Sequence, residues 1–233
     1  YSYDANNRLV TETRYLVADP DGSGAGEPGT PVTSRYAYDS EGHLRFTVSA
    51  EGRVSEYRYN TAGQRIAAIS YTGAAYNLTG LTPTTPLSEA QLQTWVGTQD
   101  KTQTERVDYS YDFRGQVSTT TTYAVINVDG SGNTASGTHA VTNFIYDPHG
   151  RLLQTIDARG TPTVDPNDYL TTYTYDGLGR LLSTSQWVDA THTRTTVTQY
   201  DDAGNRVVTT AANGLVTTST FDRAGHLIAA TQG

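Results

Sequence analysis

Tyr173 to Leu181 reads YTYDGLGRL, and three relatives of this stretch occur elsewhere in the same chain. They are YSYDANNRL from Tyr1, YAYDSEGHL from Tyr36 and FIYDPHGRL from Phe144. A catalytic motif is needed once, whereas a motif written many times belongs to a repeat architecture. The repetition therefore predicts a building unit.

The residues of this stretch are typical of a β-hairpin. The Asp176 carboxylate can accept backbone N–H bonds two residues on, which holds a tight bend. Gly179 can supply the positive φ that ends a three-residue loop with a bulge. In that register Asp176 lies opposite Arg180 and Tyr175 opposite Leu181, and each such cross-strand pair contributes roughly 0.2–1 kcal/mol.

The same pattern, which we call the Tyr–Asp turn, occurs eight times: an aromatic residue, Asp or Asn, two variable residues, Gly or Asn, a polar residue and an aliphatic one. Successive copies start 35, 21, 52, 35, 29, 25 and 21 residues apart, so 21 is the predicted basic unit. The residues with a predicted structural role are Tyr3, Asp4, Tyr38, Asp39, Gly42, Tyr59, Asn60, Gly63, Tyr111, Asp112, Gly115, Tyr146, Asp147, Gly150, Tyr175, Asp176, Gly179, Tyr200, Asp201, Gly204, Phe221, Asp222 and Gly225.

Some copies vary. Asn7 replaces Gly in the first copy, and Asn tolerates a positive φ better than other residues do. Arg65 and Arg206 replace the aliphatic residue, and each is followed by an aliphatic one. We therefore expect one extra residue or a bulge at both places.

Further turn motifs lie midway between some copies, at 50–53, 157–160 and 212–214. One unit is then two strands and two turns, which predicts a continuous meander. The predicted fold class is all-β: a long antiparallel meander of about sixteen strands in a curved or coiled sheet. We expect a single repeat region over 1–233 with insertions near 19–32, 72–104, 127–139 and 161–168.

The amino-acid composition favours strands and excludes several classes of partner and binding site. Tyr accounts for 17 of the 23 aromatic residues, and Tyr, Thr and Val favour strands. The net charge of −8 argues against nucleic acid or an acidic membrane surface as the main partner. There is no Cys for disulfides or Cys-based metal sites, and the absence of Met predicts an internal piece of a longer chain or a processed product. No apolar run is long enough for a membrane span.

The Tyr-Asp-x-x-Gly-Arg-Leu motif at a spacing of about 21 resembles the YD repeat (Rhs repeat) of bacterial Rhs proteins, Tc-toxin B and C components and teneurins. The resemblance covers nearly the whole chain. It implies a β-sheet strip that coils into a hollow shell around a toxin or another C-terminal cargo. Eight copies are fewer than such a shell needs, so the chain is expected to be a fragment of a larger protein.

The resemblance also implies a bacterial protein that is secreted or at the cell surface. The expected partners are further YD repeats of the parent chain or neighbouring copies, with an enclosed toxin domain or surface glycans as further partners. The alternative function is an extracellular adhesion or carbohydrate-binding module, or a fibre that assembles from repeats.

Two acidic, Gly-rich loops resemble the front half of a calcium-binding loop, at Asp19–Asp21 and Asn127–Asp129. Both have Thr where a bidentate Glu belongs, at Thr30 and Thr138. The other interpretation is a hairpin tip whose Gly, Asp and Ser suit turn geometry. The prediction is therefore that the chain needs no cofactor, with calcium at these loops as the alternative.

The insertion at 72–104 contains a predicted helix. Ser88 and Gln91 have the spacing of a capping box, and Leu87 and Leu92 that of a hydrophobic staple. Gly97 is the predicted stop. We expect this helix to cover the apolar side of the sheet, with a docking surface for a partner as the alternative.

Enzyme activity is not predicted. The five His residues show no metal-ligand spacing, and neither a G-x-S-x-G motif nor a P-loop is present. The repeated Asp residues each have a turn role, so none is singled out as a glycosidase carboxylate. The Asn77-Leu-Thr sequence matches a glycosylation sequon, which is a short motif.

Overall fold

The computed structural model describes residues 1–17, 29–157, 169–189 and 191–233. Within these ranges the chain forms sixteen strands, which follow one another through the sheet in chain order with antiparallel pairing. The predicted all-β antiparallel meander with one short helix is confirmed, whereas the curvature of the sheet stays a prediction. The elements are β1 Ser2–Tyr3, β2 Leu9–Val17, β3 Gly29–Tyr38, β4 Leu44–Val48, β5 Val54–Tyr59, β6 Arg65–Tyr71, α1 Glu89–Gly97, β7 Thr104–Tyr111, β8 Val117–Tyr123, β9 His139–Tyr146, β10 Leu152–Ile156, β11 Leu170–Tyr175, β12 Leu181–Trp187, β13 Thr193–Asp201, β14 Arg206–Thr210, β15 Val216–Phe221 and β16 Leu227–Gln232.

The chain divides into two compact units. Unit 1 contains Tyr1–Ser110 and Thr121–His139, and unit 2 contains Tyr111–Thr120 and Ala140–Gly233. The prediction of a single repeat region over 1–233 concerns the sequence pattern and stays a prediction.

Unit 1 has an apolar core between its sheet and α1. The strands β4, β5 and β6 alternate buried and half-buried residues, as period-two side-chain alternation requires when one face is covered. Leu92 and Val96 of the helix complete the cluster, together with Leu87 just before it. The other buried members are Ala37, Phe46, Val48, Val54, Ala67, Ile69 and Tyr71. The insertion therefore covers one face of the sheet, as predicted.

The helix begins as its sequence predicts. The Ser88 hydroxyl accepts the Gln91 N–H at 3.2 Å, and the Gln91 side chain accepts the Ser88 N–H at 2.9 Å. The helix ends at Gly97, as predicted, although Gly97 is itself the last helical residue and Thr98 is the C-cap. The Thr98 N–H and hydroxyl both donate to the Trp95 carbonyl, at 3.0 and 2.8 Å, so no left-handed glycine is needed.

Unit 2 is stabilised differently. Among its described residues Asp147 alone is buried, and none belongs to the apolar core cluster. Its strands are mostly half-buried, and hydroxyl groups pair across them: Thr174 with Ser183 at 2.6 Å, and Ser185 with Thr195 at 2.9 Å. Strand pairing and turn contacts therefore carry a larger share of the stability here than in unit 1.

Candidate functional site: contacts between successive Tyr–Asp turns

The Tyr175 turn has the predicted geometry. The Asp176 N–H donates to the Arg180 carbonyl at 2.9 Å, and the Gly179 N–H donates to the Asp176 carbonyl at 3.0 Å. Gly179 has a φ of +84°. Tyr175 pairs with Leu181 across a register shift, so the expected pairing and bulge are confirmed.

The carboxylate organises the turn more completely than expected. Its Oδ1 accepts the N–H of Leu178 at 2.9 Å and that of Arg180 at 2.8 Å, while its Oδ2 accepts the Arg180 Nε at 2.7 Å. The same two backbone bonds, from the residues two and four positions on, are accepted in six other turns by Asp4, Asp39, Asn60, Asp112, Asp147 and Asp222.

These bonds change the acidity of the turn carboxyls. Desolvation alone would raise the pKa of Asp176, but the hydrogen bonds from Arg180 and Leu178 outweigh it and hold the pKa below its ordinary value. At Asp222 the backbone N–H of His226 is the largest cause of a lowered pKa. The pKa values of Asp4, Asp39 and Asp147 are lowered as well.

The Tyr200 turn differs from the others. Tyr200 pairs with Val207 and Asp201 with Arg206 without a register shift, so the extra residue predicted at Arg206 is present and lengthens the turn. The assignment of the left-handed position to Gly204 is wrong, because Asn205 has the positive φ of +48°. The added residue moves that position by one, and Asn is the residue that adopts it with least strain after Gly.

Of the two alternatives predicted at Arg65, an extra residue or a bulge, the structure has the register shift of a bulge. Tyr59 pairs with Arg65 across the same kind of register shift that joins Tyr38 to Leu44. Arg65 therefore occupies the ordinary aliphatic position. Its guanidinium lies over the rings of Tyr57 and Tyr109, at 5.4 and 5.2 Å from their centroids, so stacking replaces the aliphatic contact.

A contact between turns recurs that the sequence pattern did not reveal. The hydroxyl of a turn tyrosine donates to the backbone carbonyl of the aliphatic residue that ends the preceding turn. The five described pairs are Tyr38 to Leu9, Tyr59 to Leu44, Tyr146 to Val117 and Tyr175 to Leu152, each at 2.9 Å, and Tyr200 to Leu181 at 3.1 Å. We call this series of bonds the tyrosine ladder.

The residue after the turn glycine makes the complementary contact. Arg151 bonds its own turn carboxylate and lies 5.0 Å from the ring centroid of Tyr175 in the next turn. The same arrangement joins Arg8 to Tyr38 at 4.7 Å and Arg180 to Tyr200 at 4.2 Å, while the His43 ring stacks on Tyr59 at 4.7 Å. These four turns therefore each contact the tyrosine of the next turn twice, at its hydroxyl and at its ring.

The Tyr111 turn keeps the ladder bond to its successor, from Tyr146 to Val117, but has no cation after its glycine. It has Gln116 after its glycine, and the Gln116 Nε2 donates to the Gly150 carbonyl at 2.8 Å. Arg114, two residues earlier, donates to the Asp147 carbonyl at 3.0 Å. Gln116 and Arg114 thus contact the next turn where the position after the glycine holds no cation.

The sequence pattern also did not predict a buried cluster of charged residues in unit 1. Glu56 is 2% exposed and accepts bonds from Arg58 Nε at 2.8 Å, Arg45 Nη2 at 3.2 Å and the Tyr71 hydroxyl at 2.6 Å. Burial would raise the pKa of Glu56, but its partners, Arg58 and Tyr71 first, keep it low, while burial and Glu56 raise the pKa of Tyr71. Arg45 also lies 3.7 Å from Glu89, which links the cluster to α1.

The predicted calcium loops are only partly described. Asp19–Asp21 lies outside the described residues. In the other loop, Asp129 Oδ1 accepts the Ser131 N–H and hydroxyl at 2.9 and 2.6 Å, which is turn geometry. Calcium there stays a prediction. In the described part of the chain, Asp39, Glu41 and His43 bring possible ligand atoms within 4.8 Å of one another, but Asp39 and His43 already serve their turn.

No helix in the described ranges is long and apolar enough to cross a bilayer.

Solved structures with a similar fold are Tc toxin proteins. A Photorhabdus luminescens Tc holotoxin pore matches with a TM-score of 0.52 and 20% identity over 87% of this chain and 8% of its own. Crystal structures of TcdB2-TccC3 without its hypervariable C-terminal region and of TcdB2-TccC3-TEV both give a TM-score of 0.47 and 16% identity, covering 99% and 100% of this chain and 12% of theirs.

At this identity the likeness to the holotoxin chain establishes a shared fold alone, and the present chain spans a small part of the chains that it matches. No protein-family model matches the sequence, and the comparison with curated proteins gives no match.

Proposed function

We propose that the chain is a non-enzymatic wall segment of a large bacterial YD-repeat protein, in which further repeats complete a β-sheet shell around a toxin or another C-terminal cargo. The tyrosine ladder is the observation that carries the proposal. In five pairs of successive turns it joins one turn to the next through a bond that uses the motif tyrosine and the motif aliphatic residue.

The chemistry of the recurring acids supports a structural role. Six turn carboxylates each accept two backbone N–H groups of their own turn, and several also bind the following cation. Carboxylates used in this way set backbone geometry and resist protonation. A general acid would instead need a pKa raised toward the working pH.

The similarity in fold to part of a Tc holotoxin chain agrees with this proposal. A wall must keep its strands paired without a second layer on every part of the sheet. The half-buried strands of unit 2 and their turn-to-turn bonds suit that requirement.

The test uses the full-length protein that contains this chain. We expect its C-terminal domain to resist a protease in the intact protein. Replacing Tyr38, Tyr59 and Tyr175 together by Phe should speed its cleavage, because three ladder bonds are lost. Tyr15→Phe is the matched control, since Tyr15 is a half-exposed strand tyrosine outside the turns. A C-terminal domain that is cleaved equally fast in all three proteins would overturn the proposal.

A further inference from the structure

Arg35 in β3 is a buried cation that donates to carbonyl groups and forms no ion pair with a described carboxylate. The residue is 4% exposed. Its Nε donates to the Thr85 carbonyl at 3.1 Å, its Nη1 to Thr33 at 3.2 Å and its Nη2 to Thr82 at 3.1 Å. A guanidinium has five N–H groups, so one on each Nη remains after these three bonds. Buried charges in proteins are ordinarily paired with an opposite charge.

A groove lies beside this guanidinium. Its volume is about 300 Å³, at the lower end of the range for small-molecule sites. Pro31, Val32, Leu78, Leu81 and Pro83 form apolar walls, with Thr33 and Arg35 as polar lining. Apolar walls with one buried, donor-rich cation are the surroundings that an aliphatic acid would complement.

We propose that this groove binds a small aliphatic monocarboxylate whose carboxylate bonds Arg35 and whose hydrocarbon part lies against the Pro, Val and Leu side chains. The carboxylate would supply, through charge-assisted hydrogen bonds, an opposite charge that no described residue is seen to provide. Glu51 also lines the groove, so a second negative charge on the ligand would be repelled. The proposal rests on the groove alone and does not depend on the proposed wall function.

The experiment titrates the whole chain with isovalerate and separately with isovaleramide, which has the same shape and no charge. Backbone amide resonances of residues 31–35 and 78–83 report binding. We expect saturable shifts with isovalerate and binding of the amide that is about tenfold weaker or more, because a charge-assisted hydrogen bond is lost.

Two variants sharpen the test without touching the buried cation. Glu51→Gln should tighten isovalerate binding by about two- to threefold, since a surface charge of the same sign is removed. Glu105→Gln, at an exposed strand position away from the groove, should leave it unchanged. Arg35→Met should abolish binding in a chain that stays folded.

Three outcomes would overturn the proposal. The first is no saturable shift with isovalerate, which would leave Arg35 as a clamp for the 82–85 loop only. The second is equal affinity for acid and amide. The third is equal effects of the Glu51 and Glu105 substitutions. None of these outcomes depends on how well the Arg35 variant folds.

Discussion

The hydroxyl group of a turn tyrosine joins two successive turns through one hydrogen bond. In the Tyr175 turn it bonds the Leu152 carbonyl, while Arg151 lies over the same ring. A phenylalanine would keep the ring contact and lose the bond. The hydroxyl therefore separates a role in joining turns from the packing of the aromatic ring.

We expect Tyr175→Phe to lower the free energy of unfolding by about 1 kcal/mol, because the half-buried Leu152 carbonyl loses its donor. Chemical denaturation of the purified chain measures this. Tyr15→Phe should change the free energy of unfolding by less than about 0.5 kcal/mol. Equal effects at both positions would mean that the ladder bond stabilises nothing.

Two glycines of one turn give a matched pair. Gly179 has a φ of +84°, whereas Gly177 does not have a positive φ, and a Cβ at Gly177 would meet no atom within 4 Å. Gly179→Ala should destabilise the chain by about 1 kcal/mol, and Gly177→Ala should be neutral or slightly stabilising. Thermal unfolding of both variants checks this, and a reversed order would contradict the turn geometry.

The sequence could reveal those contacts whose two partners lie within one copy of the motif. The Tyr175–Leu181 pairing and the Asp176 turn follow from letters within one motif. The tyrosine ladder joins different copies, and the sequence of one turn does not show which backbone atom lies beside its tyrosine. Arg35 and Glu56 lie on β3 and β5 at positions that precede the repeated motif. No recurring pattern therefore indicated that they are buried.

Among the elements, α1 shows how an insertion can stabilise a repeat sheet. Its capping box and its buried Leu92 and Val96 were all foreseeable from spacing. Its end at Gly97 was foreseeable as well, but its cap was not, because the hydroxyl and N–H of Thr98 cap the helix in place of a left-handed glycine. Its link to the sheet through Arg45 and Glu89 depends on tertiary placement that local spacing does not encode.

The capping box gives a test at this level. Ser88→Ala should cost about 1 kcal/mol, since the Gln91 N–H loses its acceptor. Amide hydrogen exchange should speed up in the first turn of α1 more than in β11. Gln93→Ala, at an exposed helical position, is the control and should be neutral or slightly stabilising. A Ser88 variant as stable as the Gln93 variant would contradict the assigned cap.

Across the whole molecule, the turn carboxylates make stability depend on pH. The folded-state pKa values of Asp4, Asp39, Asp147, Asp176 and Asp222 lie below their ordinary values. As the pH falls, the carboxylates of the unfolded chain are therefore protonated first. The contribution of the turn carboxylates to the free energy of unfolding is complete above the unfolded pKa of about 4 and is lost as the pH falls through the folded pKa.

We therefore expect the melting temperature to fall steeply between about pH 4 and pH 2. Asp176→Asn should remove part of this dependence and keep the turn, since Asn60 accepts the same two backbone bonds in its own turn. Circular dichroism melts across this range measure both effects. A melting temperature that stays constant down to pH 2 would contradict the account.

The central claim is that the repeated motif joins neighbouring turns, and a double-mutant cycle between Arg151 and Tyr175 tests it most directly. The variants are Arg151→Met, Tyr175→Leu and the pair, and the readout is the free energy of unfolding. The account predicts a coupling of about 0.5–1 kcal/mol for this pair, as expected for a cation over a ring. For Arg151 with Tyr200, which belongs to the turn after next, it predicts additivity within about 0.5 kcal/mol. Additive effects in both cycles would contradict it.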